Sequence, residues 1–114
     1  MVLMIIKLSP QRRDDTLSVT RLNDVLIVNG ETFDFSKIGE GDTLPAEAIS
    51  SGWFFDKVER VSGELQLTLL LPNPWNYSPE QAYPVDLVNV PNGVIQFPLP
   101  LPVLNTESLN EVQA

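Results

Sequence analysis

Carboxylates are the most numerous groups in this 114-residue chain that could do chemistry. Asp14, Asp15, Asp34, Glu40, Asp42 and Asp56 could in principle pair as the acid and base of a glycoside hydrolase, or surround a calcium ion with oxygen. No calcium-loop spacing such as D-x-D-x-D-G occurs. With Asp+Glu 15 in so short a chain, some must fall close together by chance, and a solvated acidic surface is the better account. The chain has no histidine and no cysteine. That removes Ser–His triads, Cys–His pairs and the imidazole and thiolate ligands of transition metals. "GEGD", Gly39 to Asp42, lacks the Gly-Lys-Ser/Thr ending of a phosphate loop and places anions where a phosphate would sit, so it reads as a turn. The expectation is no enzyme, and no catalytic, cofactor or metal site.

A second chemistry is recognition by aromatic groups. "GELQLTLLLPNPWNYSPEQAYPV" runs from Gly63 to Val85 and changes character at Pro72, after which the chain is expected to leave the sheet, because Pro72, Pro74 and Pro79 each lack a donor. Before Pro72, apolar and polar residues alternate; after it come Trp75, Tyr77 and Tyr83 among Pro74, Pro79 and Pro84. Rigid aromatics on a proline-stiffened loop are common interface anchors, because they bury a large area at small entropic cost. The competing account folds Trp75 back as a lid on its own core, since a small sheet needs aromatic cover. Downstream, "FPLPLPVL" alternates Pro98, Pro100 and Pro102 with apolar residues, which forces an extended, ladder-poor conformation. It is suited to lie against another surface, in the same chain or a partner. Trp75, Tyr77, Tyr83, Phe97, Leu99 and Leu101 are therefore the candidate partner-binding residues. The loop and this segment are expected side by side at one edge of the domain.

Charge narrows the partners. Lys+Arg 7 against Asp+Glu 15 gives a net charge of −8, which opposes capture of nucleic-acid phosphates and of anionic membrane surfaces. Arg12-Arg13 is followed at once by Asp14-Asp15, which cancels its field. "MVLMIIK" is too short and lacks the flanks of a signal peptide, and no apolar run approaches a bilayer span. Absence of cysteine fits the cytosol.

The elements that must position these residues are strands. Met4, Ile6 and Leu8 share a face of a first strand that Pro10 is expected to close. Leu17 and Val19 alternate with polar residues, "VLIV" follows the Asn23-Asp24 turn, and Asn29-Gly30 suits a type I′ hairpin before Phe33 and Phe35. A three-strand meander from Thr16 to Phe35 results. Residues 44–51 hold the one short helix expected, with Thr43 as cap and Leu44 and Ile49 packing on the sheet. "WFFDKVERV", Ser62-Gly63 and "ELQLTLLL" form a second hairpin, with Leu65, Leu67, Leu69 and Leu71 facing one way. Its register is open. Either a bulge lies between Phe54 and Val61, or charged stems cover the core's edge. "VDLVNV", the Pro91-Asn92-Gly93 turn and "VIQF" suggest a last, weak hairpin. Residues 1–104 should form one mostly β domain, antiparallel hairpins in a small sandwich or open barrel, and residues 105–114 a disordered tail.

"LPAEAISSGWFFDKVERVSGELQLTLLLPNP", Leu44 to Pro74, resembles a family of small acidic proteins encoded by tailed phages and prophages near tail or virion-assembly genes. The opening "IIKLSPQRRDDTLSVTR" and "VNGETFDF" are compatible with it. The resemblance implies a non-enzymatic accessory or structural protein of the host cytoplasm or the virion, acting by self-association or contact with another protein. It carries no functional residue. The alternative is a small ligand- or glycan-binding module that stacks on Trp75, Tyr77 and Tyr83.

Overall fold

The computed structural model describes residues 3–102; the expected tail at 105–114 lies outside them. Eight strands form two four-stranded sheets. The first holds β1 (Leu3–Arg12), β7 (Glu64–Asn73), β6 (Phe54–Val61) and β5 (Thr43–Pro45), in that order. The second holds β4 (Glu31–Asp34), β3 (Val25–Val28), β2 (Val19–Leu22) and β8 (Gly93–Val94). The architecture is mostly β, as the alternating pattern requires, and both sheets are open rather than closed into a barrel.

Period-two alternation decides what lies between the sheets. Met4 and Ile6 from β1, Leu65, Leu67, Leu69 and Leu71 from β7, and Phe54 and Val58 from β6 are buried from one side. Val19, Leu26 and Val28 are buried from the other. Phe54 packs edge-to-face against both Phe33 and Phe35, with Phe33 and Phe54 ring centroids 4.9 Å apart, while Phe33 and Phe35 stack on each other. Each fully buried leucine contributes roughly 1.5–3 kcal/mol, so β7 is the main apolar investment of the fold.

The meander forms where its turn chemistry placed it. Asn29 and Gly30 both take positive φ, 48° and 86°, as a type I′ turn demands. Ser62 and Gly63 do the same at 53° and 76°, so the second hairpin also turns on two residues. Both answers to its register question hold at once. Phe55 pairs with Thr68 and Val58 with Leu67, so Asp56 and Lys57 bulge out, with Asp56 at φ 67°. Beyond the bulge, Arg60 sits opposite Leu65, and its stem covers the core's edge. Its guanidinium donates to the Ile38 carbonyl at 2.6 Å and faces Asp24 at 3.3 Å.

Four expectations are corrected. Pro10 does not end β1, which pairs in parallel, not as a hairpin arm, with β7 as far as Arg12–Asn73. Ile6 exchanges hydrogen bonds with Leu87 on the outer side. Pro10, four residues on, turns its donorless nitrogen to that same side, so the ladder to β7 loses nothing. Pro72 likewise does not end β7: Leu70 donates to Trp53 on the β6 side, and Pro72 faces that side after β6 has run out. At residues 44–51, Thr43 does not cap a helix but opens β5, and only one 3-10 turn, Ala46–Ala48, follows. Pro45 is extended and paired to Lys57, which holds the backbone out of helix until Ala46. Leu44 and Ile49 do pack on the core.

The last hairpin is not formed. Its arms part at Pro91, one going to each sheet. Leu87 and Val90 bond to Ile6 and Met4 on the outer edge of β1, while β8 pairs with β2 and Ile95 donates to Val19. Residues 85–95 therefore strap the open edge between the sheets. Arg21 fixes the strap from inside, donating to the carbonyls of Asn23 and Val90. It is buried, and desolvation lowers its pKa, with Asp24 opposing that shift.

Candidate functional site

Where β7 leaves the sheet, the chain folds into a compact loop instead of a loose one. Asn73 donates its side-chain amide to the Gln81 carbonyl at 2.8 Å, which closes the loop across eight residues. Inside it lies α1 (Pro79–Ala82), a single turn held by a capping box: Ser78 accepts from the Gln81 amide, and the Gln81 side chain accepts from the Ser78 amide. Pro79 occupies the first turn, where no donor is needed. Sequence reading missed this helix, although Ser-Pro-Glu-Gln spells the box.

The aromatic side chains point outward from this frame. Trp75 is 69% exposed, Tyr77 47% and Tyr83 85%, so Trp75 is no lid on the core. Residues 97–101 run beside the loop, and the contacts are specific. Leu101 donates to the Asn76 carbonyl at 2.9 Å, the Asn76 amide returns a bond to the Leu101 carbonyl at 2.7 Å, and the Ser78 hydroxyl donates to the Leu99 carbonyl at 2.7 Å. Alternate residues of the proline-extended segment are thus bonded through their backbone, which leaves Leu99 and Leu101 exposed at 78% and 48%. Phe97 differs: it is half-buried and packs against the core. Five of the six candidate residues share the outer surface, and the sixth roots it.

Between this segment and the Asp14–Val19 turn lies a groove of about 370 Å³. Leu17, Leu71, Pro72, Pro74, Ile95 and Phe97 contribute to its apolar lining, and Asp14 and Asp15 to its lip. Its volume falls in the range of small-ligand and side-chain sites. Arg12 pairs with Asp14 and Arg13 with Asp15, so the lip is largely neutralised.

The other carboxylates singled out from the sequence have structural roles and do not converge. Glu40 accepts from the Ser62 and Gly63 amides, both at 2.6 Å, and clasps the hairpin turn. Asp42 accepts from Gly39, and Asp56 forms the bulge. Asp34 accepts from the Ser36 amide at 2.9 Å. That bond lowers its pKa, helped by the Ser36 hydroxyl and the charge of Lys37. Among the described residues no three carboxylates gather as metal ligands would, and no helix is long and apolar enough to cross a membrane.

Compared with known proteins, the chain matches no family model, no curated protein and no solved structure. Its surface must be read from its own geometry.

Proposed function

We propose that the protein acts without catalysis, as an accessory or structural component that docks another protein through the Trp75–Tyr77–Tyr83 loop and the adjoining 97–101 segment. The observation that carries this reading is the presentation of three large aromatics on a frame closed by five side-chain bonds, made by Asn73, Asn76, Ser78 and Gln81. An exposed apolar group is common on protein surfaces, but three large aromatics held out on one loop that is tied down by its own hydrogen bonds have the anatomy of an interface anchor. Ordering cost is met before binding, which favours affinity. The phage setting, with a virion or tail-assembly component as partner, rests on the sequence resemblance alone.

Affinity capture from a lysate of phage-producing cells tests the reading, with wild-type chain compared against a Trp75→Ala, Tyr77→Ala double variant of unchanged melting temperature. Recovery of a stoichiometric protein by the wild type alone is expected. Equal recovery by both chains overturns it. Saturable change in tryptophan emission with free sugars, and no protein capture, would instead assign the aromatics to glycan stacking.

A further inference from the structure

The two tryptophans differ in what covers them. Arg13 lies over the Trp53 ring, 4.6 Å from its centroid, so that ring already has a cation on its face. Trp75 has no counterpart of that kind in the second half of the chain. All seven Lys and Arg residues lie at or before Arg60, and from Val61 onward the only ionic side chains are Glu64, Glu80, Asp86, Glu107 and Glu111. The two arginines nearest the loop's base, Arg12 and Arg13, are committed to Asp14 and Asp15. Glu80 stands in α1, between Tyr77 and Tyr83, and Asp86 follows three residues after Tyr83. The exposed ring faces are electron-rich, and the formal charges on the same loop are negative. The groove beside Pro74 and Leu99 adds an apolar slot.

From this we infer that the docking surface takes a cationic segment of its partner, one that sets an arginine or lysine on an exposed aromatic ring of the Trp75–Tyr83 loop, with Glu80 of the same loop as its counter-charge, and a neighbouring aliphatic side chain in the groove. The inference rests on the protein-docking reading above and names the chemistry of the partner. A guanidinium satisfies both halves of the face, since it stacks flat on an aromatic ring while its edge donates to a carboxylate. An acidic partner would meet uncompensated repulsion from a chain of net charge −8.

The test uses three short probes of equal length, acetyl-LRLR-amide, acetyl-LQLQ-amide and acetyl-LELE-amide. Binding to the full chain is read by calorimetry, and by Trp75 emission in a Trp53→Phe background. The arginine probe should bind at least about tenfold more tightly than the glutamate probe, and the difference should shrink as salt rises. Trp75→Ala and Glu80→Gln should each weaken the arginine probe by about two- to fivefold, the range of an exposed cation–π or ion-pair contact. Tyr83→Ala provides a second reading of the ring face. Glu31→Gln, which removes the same charge from β4 at the far edge of the second sheet, should leave binding unchanged. Equal binding of the arginine and glutamate probes overturns the inference. So does an equal loss from Glu31→Gln and Glu80→Gln, which would reduce the effect to net charge. If the glutamine probe matches the arginine probe and both need Trp75, the cationic assignment falls while the docking surface stands.

Discussion

Trp53 and Trp75 are separated by one strand hairpin and end in opposite circumstances. Trp53 lies just before β6, half-buried against the core, with its carbonyl taken by Leu70, its amide by the Ser51 hydroxyl and its ring by Arg13. Trp75 lies just after β7, on a loop tied down by the side chains of Asn73, Asn76, Ser78 and Gln81, and its ring faces solvent. Local order is therefore not what separates them. The difference is where the order comes from. Trp53 is fixed by the sheet and spends its ring on that sheet; Trp75 is fixed by Asn73, Asn76, Ser78 and Gln81, and its ring is left over for something else.

If that contrast is right, damage on the strand side should cost stability and damage on the ring side should not. Leu67→Ala should give the largest effect, roughly 2–5 kcal/mol lost in denaturant unfolding, because it removes transfer energy and opens a cavity between the sheets. A melting curve unchanged within a degree or two would break the comparison at its root. Arg21→Met tests the attachment of the strap that leads out of the aromatic loop. It orphans the Val90 carbonyl and should cost about 1–3 kcal/mol, with faster amide exchange in residues 87–95. Arg13→Ala should cost about 0.5–1 kcal/mol and shift Trp53 emission, since the cation leaves the ring. Trp75→Ala should sit within about 0.5 kcal/mol of wild type, as surface substitutions do.

The smallest effect is a pH dependence. Asp34 has a lowered pKa in the fold through its bond from the Ser36 amide, so its carboxylate form favours the folded state. That contribution is fully present above the ordinary aspartate pKa and fades as pH falls through the lowered folded value. Asp34→Asn should flatten the acid limb of the stability curve, by removing a small contribution at neutral pH and leaving stability below the lowered folded pKa almost untouched. An unchanged acid limb would show that the turn holds without the charge.

Much of the strand side was legible because its signals are local. Asn29-Gly30 and Ser62-Gly63 announce positive φ, and the four leucines of β7 announce a buried face. Direction and partner were not legible. Nothing in the alternation of β1 says whether it pairs parallel or antiparallel, and only the crossover geometry sets it beside β7. The residues around Pro91 looked like a hairpin because each arm is apolar and a turn lies between. Leu87, Val90 and Ile95 instead found better burial on two different sheets. The juxtaposition of loop and proline-rich segment followed from chemistry, since a chain barred from the ladder still needs backbone partners, and Asn76 and Ser78 supply them. The exposure of Trp75 was left undecided by sequence, because cover and anchor ask for the same residue type.

The parallel pairing of β1 with β7 has a consequence in time. Leu3 must find Glu64, and Arg12 must find Asn73, so the longest ladder among the described residues joins segments separated by about half the chain. Such contacts incur their loop-closure entropy before they return any burial, which places them late in folding and makes the rate sensitive to that step. The meander of β2 to β4 is local and can assemble as soon as it emerges from the ribosome. Met4 and Ile6 wait with their apolar face uncovered until β7 has been synthesised, and that interval is the period in which the nascent chain is most open to aggregation.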